Sequence, residues 1–178
     1  MMKNILLVGP PRVGKTTVVQ KVLSLVKTRC GGFFTQAADK AAFYTNFRLV
    51  TVDGPNRDIP ESDLIRRFDI PSLLGFNVED LENRGRGSIS KALETCDVVV
   101  IDQLGTLEAA SAVFRTLVSQ VLDSSRICLA TMGLSHDPFL VGIRNREDVT
   151  IMDVCLANRS TLAEEVSARI RGLLPRKR

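Results

Sequence analysis

Gly9-Pro10-Pro11-Arg12-Val13-Gly14-Lys15-Thr16 follows the spacing G-x-x-x-x-G-K-T, and its flanks restrict what this chain can fold into. The run before it, Ile5-Leu6-Leu7-Val8, is short and wholly apolar, as a buried strand is. After it, Val18, Val19, Val22, Leu23 and Val26 recur at helical spacing. Strand, glycine loop and helix in that order are the setting in which this spacing forms a phosphate cradle. Gly9 and Gly14 let the backbone turn and approach an anion with no Cβ in the way. The loop amides and the helix N-terminus then point at that anion. Lys15 offers a point charge to β- and γ-phosphates, and Thr16 a hydroxyl to Mg²⁺. The loop residues expected at a nucleotide are therefore Gly9, Pro10, Pro11, Arg12, Val13, Gly14, Lys15, Thr16 and Thr17. Arg12 stands where glycine is frequent and adds a positive charge.

Further along, the patterning predicts strands at 32–36, 43–52, 97–102, 126–132 and 149–156. Helices are expected at 107–122 and 161–173, with a short one at 78–82. Arg84-Gly85-Arg86-Gly87 reads as a loop, and Ser88 as the cap of a helix ending near Thr95. Residues 54–76, rich in Pro, Gly and charge, read as loop with a short helical piece at 62–68. This alternation predicts an α/β fold, a mainly parallel sheet with helices on both faces. The strands within 32–53 look like a hairpin inserted into it.

The length of 178 residues suits one domain, 1–178, and the 44% hydrophobic and 25% charged shares are ordinary for a globular chain. No apolar run approaches the roughly 20 residues of a membrane span. The glycine loop interrupts what a signal peptide would need, so a cytoplasmic location is expected. None of Cys30, Cys96, Cys128 and Cys155 forms a C-x-x-C pair, which argues against zinc and a disulfide framework. Cys128 and Cys155 lie in apolar runs and are expected to be buried and reduced. His136, beside Asp137-Pro138, reads as a surface or capping residue. The net charge of +4 is too mild to argue for nucleic acid. The tail holds Arg169, Arg171, Arg176, Lys177 and Arg178 with no acid, a solvated end with phosphate-backbone contact as the alternative.

Asp102 ends the apolar run Val98-Val99-Val100-Ile101. A carboxylate there emerges at the C-terminal edge of the sheet, where ligands of open α/β folds bind, and can hold Mg²⁺ with Thr16. Gln103 follows it; its amide can orient water but cannot take a proton. Glu108 is either a substitute carboxylate or a first-turn helix residue.

Together these residues resemble the thermophilic-type, or cancer-related, P-loop nucleoside-triphosphatase family. The resemblance runs through the glycine loop, Gly32-Phe33-Phe34-Thr35, Phe47 through Val52-Asp53-Gly54, and Gly75-Phe76-Asn77-Val78-Glu79. It continues in Val100-Ile101-Asp102-Gln103-Leu104-Gly105 with Leu107-Glu108, then Asn158-Arg159 and Leu162. It implies a RecA-like three-layer fold and Mg²⁺-dependent hydrolysis of ATP, GTP and other nucleoside triphosphates to diphosphate and phosphate. It also implies that Asn158 and Arg159 lie near the nucleotide, Arg159 among the catalytic candidates with Lys15, Gln103 and Glu108. Arg144 and Arg146 are candidates to stabilise phosphate charge, with a solvated basic face as the alternative. Four departures each lose a charge. Gln103 stands for the family's glutamate and Thr106 for a lysine; Gln36 lies near an expected glutamate, and Tyr44-Thr45-Asn46 replaces an arginine-x-glycine pattern. They predict retained nucleotide binding with weakened turnover. A small P-loop kinase, acting on a nucleoside, nucleotide or polynucleotide, and a non-hydrolysing nucleotide-dependent binding module are the alternatives.

Overall fold

The structure is a computed structural model and describes residues 2–37, 47–53, 65–70, 78–105 and 109–175. It begins with strand β1 (Asn4–Val8), helix α1 (Lys15–Leu25) and strand β2 (Cys30–Ala37). Strands β3 (Phe47–Asp53) and β4 (Ile65–Ile70) follow, then helix α2 (Val78–Thr95) and strand β5 (Val98–Leu104). The rest alternates: α3 (Ala112–Asp123), β6 (Ile127–Met132), α4 (Pro138–Arg144), β7 (Val149–Asp153) and α5 (Leu162–Leu173).

The strands form one sheet in the order β4-β3-β2-β5-β6-β1-β7. From β2 to β7 all neighbours are parallel, which makes five parallel strands. Every residue of β1 and β6 is buried, the mark of strands covered on both faces. Side chains alternate from these strands into two cores. Ile5 and Leu7 pack with Val18, Val19 and Val22 of α1 and Val166 and Ile170 of α5. Leu6 and Val8 pack on the other face with Ile89 of α2, Phe114 and Val118 of α3, and Leu140 of α4. Helices therefore cover both faces, as expected. Sequence punctuation sets some ends. The Ser111 hydroxyl accepts from the Phe114 amide at 3.0 Å to start α3, and Asp137 accepts from Phe139 and Leu140 amides to start α4. His136 is exposed beside that cap.

Some expectations are corrected. Part of the expected helical piece at 62–68 is strand: β4 pairs antiparallel with β3 from Ile65 opposite Val52 to Ile70 opposite Phe47. The free edge of β3 supplies a ladder that the local, charged sequence does not announce. The early strands do form the expected hairpin, β2 pairing antiparallel with β3 from Gly31 opposite Asp53 to Ala37 opposite Phe47, but it is not an insertion into the parallel sheet. β2 is itself one of the parallel strands, and β3 and β4 extend the sheet beyond it. The expected loop at Arg84–Gly87 is instead the interior of α2. Gly85 faces the edge-to-face pair Phe33 and Phe114, so a small residue lets the helix lie close, and the Ser88 hydroxyl donates to the Gly32 carbonyl instead of capping. β7 stops at Asp153, short of residue 156, so Cys155 is exposed, not buried. Cys30, Cys96 and Cys128 are buried, and burial pushes the Cys30 and Cys128 thiols up to about 12. The expected residues 43–46 of the third strand, Thr106, and Glu108 lie outside the described residues.

Candidate functional site

β6 lies between β1 and β5, so the glycine loop, Asp102 and the end of β6 come together at one edge. The loop leaves β1 at Gly9, whose amide donates to the Met132 carbonyl at 3.3 Å. A Cβ at Gly9 would lie 2.6 Å from the Val154 carbonyl oxygen, so only glycine lets the loop press against the chain after β7. Gly14 has φ 109° and begins α1, whose first-turn amides have no partner inside the helix. Those amides are available to an anion. Pro10 and Pro11 are exposed and bring no N–H, and Val13 is buried in the core. Thr16 is half-buried and Thr17 exposed.

Lys15 is only 6% exposed, and its ammonium donates to the Gly9 and Pro10 carbonyls, both at 2.9 Å. Burial lowers its pKa and Asp102 partly opposes that. Asp102 is 1% exposed. Burial pushes its carboxyl above the usual range, against hydrogen bonds from the Thr131 and Thr16 hydroxyls and the pull of Lys15. The ladder between β5 and β6 shifts register between Ile101 and Leu104, so Asp102 and Gln103 occupy an irregularity in the strand. Gln103 is half-buried and its amide nitrogen lies 3.6 Å from where a Gly133 Cβ would stand.

Asp102 and Thr16 are hard oxygen donors beside the phosphate loop. Among the described residues no three His, Cys, Asp or Glu gather as in an all-protein metal cage. That donor set fits Mg²⁺, which keeps water and substrate phosphate in its shell.

The turn after β7 leans on the loop a second time. The Arg159 guanidinium donates to the Val13 carbonyl at 3.4 Å, and its Cδ lies 3.4 Å from where a Gly14 Cβ would stand. Asn158 shapes this turn, accepting from the Cys155 amide at 2.9 Å and donating to the Asp153 carbonyl at 2.7 Å. The structure thus brings Lys15, Thr16, Asp102, Gln103, Asn158 and Arg159 to one edge. It adds Thr131, which sequence reasoning missed. Thr131 is fully buried near the end of β6 and donates to Asp102. Its one signal was a hydroxyl in the apolar run Ile127-Cys128-Leu129-Ala130-Thr131-Met132.

Arg146 is a correction. Its guanidinium grips both Asp148 oxygens at 2.8 and 2.9 Å and Asp123 at 2.8 Å. Asp148 also accepts from the Asn4 amide at 2.9 Å. These residues stand where β1 and β7 begin, at the edge opposite the loop, so Arg146 cannot serve phosphates there. Arg144 closes α4, where the chain returns toward that far edge. Hydrogen bonding to Arg146 holds the Asp148 carboxyl below the usual range. A depressed carboxyl stabilises the fold above its unfolded pKa of about 4 and loses that contribution as pH falls through the folded value. Asp148→Ala is therefore expected to cost about 1–2 kcal/mol at neutral pH, with the gap closing below about pH 4. Urea melts at several pH values check this. A pH-independent gap would show that the ion pair is not its source.

Comparison with known proteins shows the family to which this fold belongs. A family model described as NTPase matches residues 4–167. The nucleoside-triphosphatase THEP1 of Thermotoga maritima is 34% identical over 168 residues, covering 92% of each chain. That of Methanocaldococcus jannaschii is 28% identical over 170 residues, 94% of this chain and 96% of the other. The crystal structure of THEP1 from the hyperthermophile Aquifex aeolicus superposes with a TM-score of 0.75 at 26% identity, over 94% of this chain and 98% of that one. No helix among the described residues is long and apolar enough to cross a membrane.

Proposed function

The chain belongs to the family of THEP1 nucleoside-triphosphatases, and from that premise we propose that it hydrolyses ATP, GTP and other nucleoside triphosphates to diphosphate and phosphate, slowly and with Mg²⁺. The observation that carries the reading is the pairing of a buried Lys15 and a buried Asp102 under one phosphate loop. Buried charges of this kind are costly to stability and recur where a site needs them.

In this mechanism Lys15 and the amides of residues 12–16 hold the β- and γ-phosphates. Thr16 and Asp102 hold Mg²⁺, which offsets charge on those phosphates when bound. Thr131 fixes the Asp102 carboxylate by its hydrogen bond. Gln103 orients water for in-line attack on the γ-phosphorus, and the bond to the β-phosphate oxygen breaks. Because the amide takes no proton, the proton of the attacking water passes to phosphate or solvent, and turnover is low. Arg159, held on the loop by its bond to Val13, adds charge near the phosphates. Asn158 sets the turn that presents it.

Single-turnover hydrolysis of radiolabelled ATP and GTP with Mg²⁺, beside a binding titration, tests the reading. Phosphate release without an added acceptor is expected. Gln103→Ala is expected to lower the rate about tenfold or more, and Gln103→Glu to raise it by restoring a base, since general bases contribute about 10²–10⁴-fold. Tight binding with no release would instead favour a nucleotide-dependent binding module, the reading that Gln103 supports. Consumption that needs an added hydroxyl acceptor would favour a kinase.

A further inference from the structure

We propose that the Arg12 side chain contacts the γ-phosphate of the bound triphosphate and stabilises the charge that develops there during hydrolysis. This rests on the hydrolase reading and gives it a cation that acts within the loop itself.

The backbone supplies the first observation. Arg12 has φ 62°, and among the described residues no other non-glycine has a positive φ. An L side chain is disfavoured in this region, and glycine would occupy the position freely. Strain of this kind persists where the side chain is needed, most often at ligand sites.

The side chain supplies the second. Arg12 is exposed, and no carboxylate among the described residues lies within ion-pair distance of it. Its backbone lies in the turn that leads into α1, but among the described residues its side chain makes no ion pair or hydrogen bond, so the fold draws no contact from the guanidinium that would offset the strain. The other cations of the loop are engaged. Lys15 donates to the Gly9 and Pro10 carbonyls, and Arg159 to the Val13 carbonyl.

The third is a shortage of donors. Pro10 and Pro11 remove two amide hydrogens from the part of the loop that leads into Arg12. A guanidinium brings five N–H groups in a planar fork suited to phosphate oxygens. Gln103 provides no charge and no base, so stabilisation of the loose, charge-dispersed transition state falls to cations at the loop. Arg12 meets that need from a position between Pro11 and Val13, inside the phosphate-binding segment.

Arg12→Gly is the discriminating variant, because glycine is the residue that this backbone favours. Its melting temperature is expected to equal or exceed that of the wild type, and ADP affinity to change little. Its kcat for ATP is expected to fall about 10²–10³-fold, the cost of removing a preorganised charge-stabilising donor. Arg12→Lys is expected to recover part of the loss, since it restores charge without the fork. If Arg12→Gly keeps kcat within about threefold, or weakens ADP and ATP alike with kcat unchanged, the proposal is overturned. If the wild type shows no Lys15-dependent hydrolysis at all, the hydrolase reading falls first and this role falls with it.

Discussion

Lys15→Ala is expected to lower kcat/KM for nucleoside-triphosphate hydrolysis about a thousandfold or more, with the fold intact. A thousandfold corresponds to about 4 kcal/mol of transition-state stabilisation, at the upper end of what one preorganised donor supplies. The structure argues for the upper end because Lys15 is only 6% exposed, where its interaction with phosphate is weakly screened. Its ammonium already rests on the Gly9 and Pro10 carbonyls, so little reorganisation is needed when phosphate arrives. Stability is affected in two directions. Removing a buried cation relieves its desolvation, yet it also removes the charge that opposes the upward shift of the Asp102 carboxyl. The melting temperature is therefore expected to move little. Single-turnover rates with wild type and variant, with thermal melts, check both parts. Activity within tenfold of wild type would show that the phosphates do not lie at this loop during the reaction.

Gly32→Ala is expected to abolish the folded protein. Gly32 has φ 119°, which L side chains rarely adopt. A Cβ built there overlaps the carbonyl oxygen of Val100 and stands 2.8 Å from its amide nitrogen, both backbone atoms of the neighbouring strand. β2 and β5 would have to separate in the middle of their parallel ladder, where Gly32 is opposite Val100. Overpacking costs about 1–3 kcal/mol and a forbidden backbone conformation a similar amount. The total, about 4 kcal/mol or more, is a large part of the 5–15 kcal/mol that holds a typical domain. Expression of Gly32→Ala should give insoluble or molten material, read by solubility and near-ultraviolet circular dichroism. A soluble variant with native spectra would mean that the two strands have a freedom that the described packing denies.

The contrast between these two residues shows what a sequence carries openly. Lys15 belongs to a motif whose chemistry depends on local spacing, so its place under the loop was legible from eight residues. Val98 to Ile101 announced β5 because a strand covered on both faces is apolar throughout. Gly32 was visible only as part of a resemblance, since its constraint comes from Val100, far along the chain. β4 was missed for the same reason: its charged residues become a strand through the edge of β3. Thr131 is part of the site because β6 lies beside β5, a fact of topology and not of local pattern. Arg146 was misplaced although Asp148, two residues away, was the available hint that it was already paired. The continuity of α2 through Gly85 and Gly87 is not legible locally, because glycine punctuates loops, while at Gly85 it marks close packing against Phe33 and Phe114. Glu108 remains an expectation of the sequence alone.

β1 contributes alternate side chains to both cores, Ile5 and Leu7 to one and Leu6 and Val8 to the other. The strand that holds the loop is thus shared by both hydrophobic layers and flanked by β6 and β7. It cannot come loose as a local, low-energy fluctuation, because neither layer survives its departure. The start of the loop, where the Gly9 amide donates to the Met132 carbonyl, is therefore expected to share the exchange protection of the core strands. A nucleotide arriving at this edge meets an anchor already in place, and the part of its binding free energy otherwise lost in ordering that anchor is retained as affinity.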